Sequence, residues 1–106
     1  MASSDDNNNS VKEIEKMKAI IISKTEYSVT FQINAQKHKD GQFSVTKNVC
    51  DALGLKGGDM VSLVITSPQG RDTFKSKLSS GTEIYGTKIA ELVKAGDPIE
   101  VEISRA

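Results

Sequence analysis

Apolar residues in this chain recur mostly at every second position, in short runs broken by polar turns. Tyr27, Val29, Phe31, Ile33 and Ala35 alternate with Ser28, Thr30, Gln32 and Asn34. That period of two predicts a half-buried strand from Tyr27 to Ala35. Ile99, Val101 and Ile103 alternate in the same way with Glu100, Glu102 and Ser104. They give a last strand from Pro98 to Ser104, with the proline at its first position, where a missing N–H is tolerated. Shorter runs predict strands at Lys18 to Ser23, Gln42 to Val45, Met60 to Thr66, Arg71 to Leu78 and Thr82 to Tyr85. The first of these is built around Ala19-Ile20-Ile21-Ile22, and the fourth is anchored by Phe74 and Leu78. Two stretches change to helical spacing. Lys47 to Leu53 presents Val49, Cys50 and Leu53, with Thr46 as N-cap and Gly54 as terminator; Lys88 to Val93 presents Ile89, Leu92 and Val93.

The order of elements is nearly repeated. Leu55-Lys56-Gly57-Gly58-Asp59 leads into one strand, and Val93-Lys94-Ala95-Gly96-Asp97 leads into another. Each is preceded by a Thr-Lys pair (Thr46-Lys47, Thr87-Lys88) and a short helical run. Helix, Gly-Asp turn and strand are thus written twice. Strands this short would leave many edges exposed in an open sheet, so closure is favoured. The expected fold is mainly β: an open, pseudo-symmetric β-barrel of seven or eight strands with two short α-helices. Residues 1–10, rich in Ser, Asp and Asn, are expected to be a disordered N-terminal tail. Residues 11–106 form a single domain, with Val11 to Lys18 either a helical turn or the lead-in to the first strand.

Composition refines this picture. Only 5% of the 106 residues are aromatic, so the core must be mostly Val, Ile and Leu. The formal net charge is zero, but its distribution is uneven. Cations gather at Lys37, Lys39 and Lys47, beside His38, and again at Arg71, Lys75 and Lys77. A fold that joins these segments gives a neutral protein a basic face. One cysteine, Cys50, excludes an internal disulfide and fits a reducing compartment; its place in a helix beside Val49 reads as a small buried apolar residue. No apolar run is long enough to span a membrane and no signal pattern stands at the start, so a cytoplasmic location is expected.

Catalytic groupings are missing, so no enzyme activity, metal or cofactor is expected. A single histidine, His38, cannot supply a histidine metal site. The glycines at 57, 58 and 96 follow helices and precede strands, the reverse of a phosphate loop, and are explained by turn geometry. Glu100 and Glu102 share a strand face and read as a solvated surface rather than an acid–base pair. Two loops carry the residue types that contact phosphates and base edges. One holds Gln36, Lys37, His38, Lys39 and Gln42; the other follows Lys75 and Lys77 and holds Ser79, Ser80, Thr82 and Glu83. With few aromatics to stack on single-stranded bases, duplex DNA suits them better.

Two resemblances bear on this. Phe43-Ser44-Val45-Thr46-Lys47-Asn48-Val49, running on through Leu53, Gly58-Asp59 and a strand, resembles the AbrB/MazE-type swapped-hairpin domain over about 25 residues. That family completes its barrel by dimerising. The order of elements from Tyr27 to Ser104 resembles the DNA-binding pseudobarrel of plant transcription factors and restriction-endonuclease recognition domains. Phe74-Lys75-Ser76-Lys77-Leu78 is similar to its aromatic-basic strand and Val93 to Asp97 to its closing turn. Thr46 stands where plant members have proline, which points to the restriction-type relatives.

The pseudobarrel resemblance implies two arms gripping the major groove, Gln36 to Gln42 and Lys77 to Glu83. Lys37, Lys39, Lys75 and Lys77 would hold phosphates. Gln36, His38, Gln42, Ser79, Thr82 and Glu83 would read bases, with Ser80 beside them. The leading expectation is a monomeric, sequence-specific duplex-DNA module serving a nuclease or regulatory partner protein. The alternatives are an AbrB/MazE-like homodimeric regulator or antitoxin, and a cradle-loop barrel adaptor that binds proteins.

Overall fold

The computed structural model describes residues 18–106; the expected tail at 1–10 and the run Val11 to Met17 lie outside the described residues. Seven strands and two helices follow one another: β1 (Ile20–Lys24), β2 (Ser28–Asn34), β3 (Gln42–Ser44), α1 (Lys47–Leu53), β4 (Met60–Ser67), β5 (Gly70–Lys77), β6 (Glu83–Tyr85), α2 (Thr87–Leu92) and β7 (Pro98–Arg105). Five strands form an antiparallel sheet in the order β1-β2-β7-β4-β5, and β3 pairs with β6 in a second, two-stranded ladder. The fold is mainly β and barrel-like, as the alternation predicts.

The core lies on the inner faces of both sheets. Val29 and Phe31 of β2, Val61, Leu63 and Ile65 of β4, and Val101 and Ile103 of β7 are fully buried there. Phe43 and Ile84 enter from the small ladder, where they pair directly. Cys50 is buried in α1, its thiol donating to the Val45 carbonyl at 3.4 Å. Burial pushes its pKa up, in keeping with a packing role.

The written repeat is a physical one. Lys56 N donates to Asp59 Oδ2 at 3.0 Å, and Lys94 N donates to Asp97 Oδ2 at the same distance. Across each turn, Leu78 N reaches the Asp59 carbonyl and Ala35 N the Asp97 carbonyl, both at 2.8 Å. Gly58 and Gly96 both sit at positive φ, +95° and +77°, as the turns require. Gly57 serves differently: a Cβ there would lie 2.8 Å from Ser80 Cα, so the residue is fixed by close approach. The last carbonyls of both helices are also satisfied alike. Arg105 donates to the Leu53 and Gly54 oxygens, whereas Gln69 and Ser67 donate to the Leu92 oxygen.

Three expectations are corrected. Tyr27 continues the alternation on paper but is 78% exposed, because it precedes the first paired residue of β2. In β1 only the neighbouring Ala19 is buried and Ile21 partly so; Ile20 is 64% exposed. This strand forms the edge of the sheet; Ile21 faces inward opposite Phe31, so Ile20 and Ile22 lie on the outer face, and the strand bulges between Ile21 and Ser23. Thr46 stands at the N-cap of α1 without a capping bond; its hydroxyl accepts from Ala19 N instead, at 3.0 Å, tying the helix to β1.

Candidate nucleic-acid interface

The two polar loops meet. Arm one runs from β2 to β3 and arm two from β5 to β6, so the β3–β6 ladder fastens the end of one against the end of the other. The pairing Gln42↔Tyr85, Phe43↔Ile84, Ser44↔Glu83 places Phe43 and Ile84 beneath, in the core. Each arm closes in the same manner. Gln36 N donates to the Gln42 carbonyl at 2.9 Å, and Ser79 N donates to the Glu83 carbonyl at 3.0 Å. Val45 N reaches the Thr82 carbonyl, and Gly86 N the Gly41 carbonyl. Gly41 and Thr82 therefore hold equivalent places, and both have positive φ, +77° and +54°.

Arm one is also braced from behind. Asp40 Oδ1 accepts from Ala95 N at 2.8 Å, Gly41 N donates to the Val93 carbonyl, and Gly96 N donates to the Gln36 carbonyl. Arm two rests on the other Gly-Asp turn, with Gly58 N donating to the Leu78 carbonyl. The arms are thus mounted on the repeated turns, each turn supporting the arm of the other half.

The candidate residues divide into two groups. Gln36 Nε2 donates to Ser44 Oγ at 3.2 Å and to Glu83 Oε2 at 3.3 Å, and Gln42 Nε2 donates to the same carboxylate oxygen at 3.4 Å. Ser79 Oγ accepts from Glu83 N at 3.0 Å, and Thr82 N donates to the Ser79 carbonyl. The side chains of Gln36, Gln42, Ser79 and Glu83 are therefore occupied within the arms, and Thr82 joins them through its backbone; all five are half-buried. They hold the arms in register. Lys37, His38, Lys39, Lys75, Lys77 and Ser80 are exposed. Lys75 and Lys77 alternate along β5 and so share its outer face.

Two shallow grooves flank the ladder at equivalent places. Asn34, Lys37 and His38 line one; Lys77, Ser80 and Tyr85 line the other. Tyr85, 57% exposed, is a groove residue that the sequence reading passed over. It follows Ile84 in β6, and strand alternation alone turns it outward. Among the described residues no three potential metal-ligating side chains cluster, and no helix is long and apolar enough to cross a membrane.

No family model matches this chain, and no curated protein matches it. Among solved structures the chain is similar to the solution structure of PHS018 from Pyrococcus horikoshii. The likeness has a TM-score of 0.57 and 16% identity, and covers 78% of this chain and 94% of that one. At that identity it speaks for the arrangement of strands and helices alone.

Proposed function

We propose that this domain binds duplex DNA as a non-catalytic module, with the β3–β6 end facing the major groove. The observation that carries the reading is the joining of two separate basic segments across one ladder. Lys37, His38 and Lys39 stand exposed on one side and Lys77 and Ser80 on the other. Lysines so placed would neutralise phosphates on either side of a groove, whereas His38 and Ser80 are the exposed groups able to reach base edges. Gln36, Gln42 and Glu83 would act one step back, keeping the arms at fixed spacing. The twofold that a swapped-hairpin homodimer creates between chains exists here within one chain, which favours a monomer over an AbrB/MazE-like dimer.

The test is binding of the full chain to a labelled duplex of randomised sequence, followed by fluorescence anisotropy across a salt series. Each phosphate neutralised contributes a slope of about −0.9 to log K against log salt, so the three lysines allow roughly −2.5 to −3. Lys37→Ala, Lys39→Ala and Lys77→Ala should each flatten the slope by about one. Absence of binding at low salt, or a slope near zero, overturns the reading.

A further inference from the structure

The internal twofold is broken at one place. β2 and β5 are equivalent strands: β2 leads through Ala35 to the Asp97 turn, and β5 leads through Leu78 to the Asp59 turn. Phe31 of β2 pairs with Val101, and Phe74 of β5 pairs with Leu63, again at equivalent positions. β2, however, is covered by a further strand, whereas β5 ends the sheet among the described residues. Ile21 of that further strand pairs with Phe31, which is fully buried. Among the described residues Phe74 has no such neighbour, and it remains half-buried. The helices repeat the difference. Thr46 Oγ1 accepts from Ala19 N, holding the approach to β1, while its counterpart Thr87 stands exposed at the start of α2.

We infer that the free edge of β5 is a docking slot for an extended acidic segment of a partner protein, added as an antiparallel strand where β1 has no counterpart. The inference does not rest on the DNA reading, although Lys77 enters both, so the two ligands would compete for it. Strand addition supplies affinity through main-chain bonds and selects alternate side chains. Along β5 the outward residues are Arg71, Thr73, Lys75 and Lys77, all exposed, so carboxylates at every second partner position meet three cations. The intervening partner positions fall on the inner side, where one apolar residue would cover Phe74 as Ile21 covers Phe31. Thr73 N–H is engaged by Asp72 Oδ1 of its own strand at 2.8 Å, a bond that strand addition exchanges. A second copy of β5 fits poorly, since it would set these cations against their equals.

The test uses the full chain, isotope-labelled, titrated with a synthetic peptide of alternating Glu and Val, and with the same peptide carrying Lys for Glu. The Glu peptide should bind at least tenfold more tightly and shift amide resonances along β5, Phe74 included. Thr73→Pro removes one edge N–H and should abolish the binding; proline is tolerated on edge strands. Should that variant fail to fold, Lys75→Glu with Lys77→Glu should reverse the preference to the Lys peptide. Equal affinity for both peptides, shifts confined to other strands, or an unreversed preference overturns the proposal. So do β5 shifts that depend on protein concentration without peptide, because the occupant is then a second copy.

Discussion

Gly41 offers the sharpest test of how arm one is seated. A Cβ built on it would lie 2.7 Å from both Ala90 N and the Gly86 oxygen, and 2.8 Å from Ala90 Cα. All three are main-chain atoms of α2 and its N-cap, so no side chain can swing aside. Gly41→Ala therefore meets two penalties. The left-handed conformation at φ +77° costs an L-residue about 1–2 kcal/mol. Forcing a methyl group into closed packing costs about 1–3 kcal/mol more. The sum, about 2–5 kcal/mol, is a large share of the 5–15 kcal/mol typical of a domain. Gly58→Ala is the matched control: φ is +95° and nothing lies within 4 Å, so only the backbone penalty of about 1–2 kcal/mol remains. Urea denaturation of both variants, followed by circular dichroism, gives the difference directly. If Gly41→Ala costs no more than Gly58→Ala, arm one does not press on α2 as described.

Thr82→Gly relieves a threonine at φ +54° and should change stability by less than about 1 kcal/mol in either direction, because strain relief opposes the entropy of glycine; urea midpoints measure it. Glu83→Ala leaves the Gln36 and Gln42 amides without their shared acceptor and should cost about 1–3 kcal/mol by the same assay. Phe43→Ala empties a fully buried site between the sheets and should cost about 3–5 kcal/mol. Cys50 should resist iodoacetamide in the folded protein and react on unfolding, as read by mass spectrometry. Burial raises this thiol's pKa, so the folded state holds its proton more firmly; that contribution is intact below about pH 8.5, where an unfolded thiol titrates, and is lost as pH rises through the folded value.

Most of the architecture is legible in the sequence because it rests on period-two alternation and turn chemistry, which are local. The strand from Ser28, the last strand and both Gly-Asp turns lie where their residues place them. Alternation does not say whether a face is covered, and that depends on the neighbouring strand. Tyr27 is exposed because it stands at a strand start, and Ile20 because its register puts it on the outer face opposite Gln32. Phe74 faces the core but is only half-buried, because its strand is at the edge of the sheet. The joining of the two basic loops follows from the repeat, once the repeat is taken as symmetry. Their internal bonding does not, since residue type alone cannot separate a glutamine that faces a ligand from one that faces a glutamate. Gln36 and Gln42 are of the second kind.

The place of β7 governs how the molecule comes into being. It follows every other described strand, yet it lies in the middle of the large sheet, between β2 and β4. Only the β1–β2 and β4–β5 hairpins, and the β3–β6 ladder, can pair before it leaves the ribosome. β2 and β4 meanwhile present bare edges on either side of an empty lane. A truncation before Pro98 would remove the spine rather than trim the rim, leaving two hairpins with no common sheet. Folding must wait for synthesis to reach that strand, and the waiting chain has the exposed edges on which aggregation or a chaperone can act.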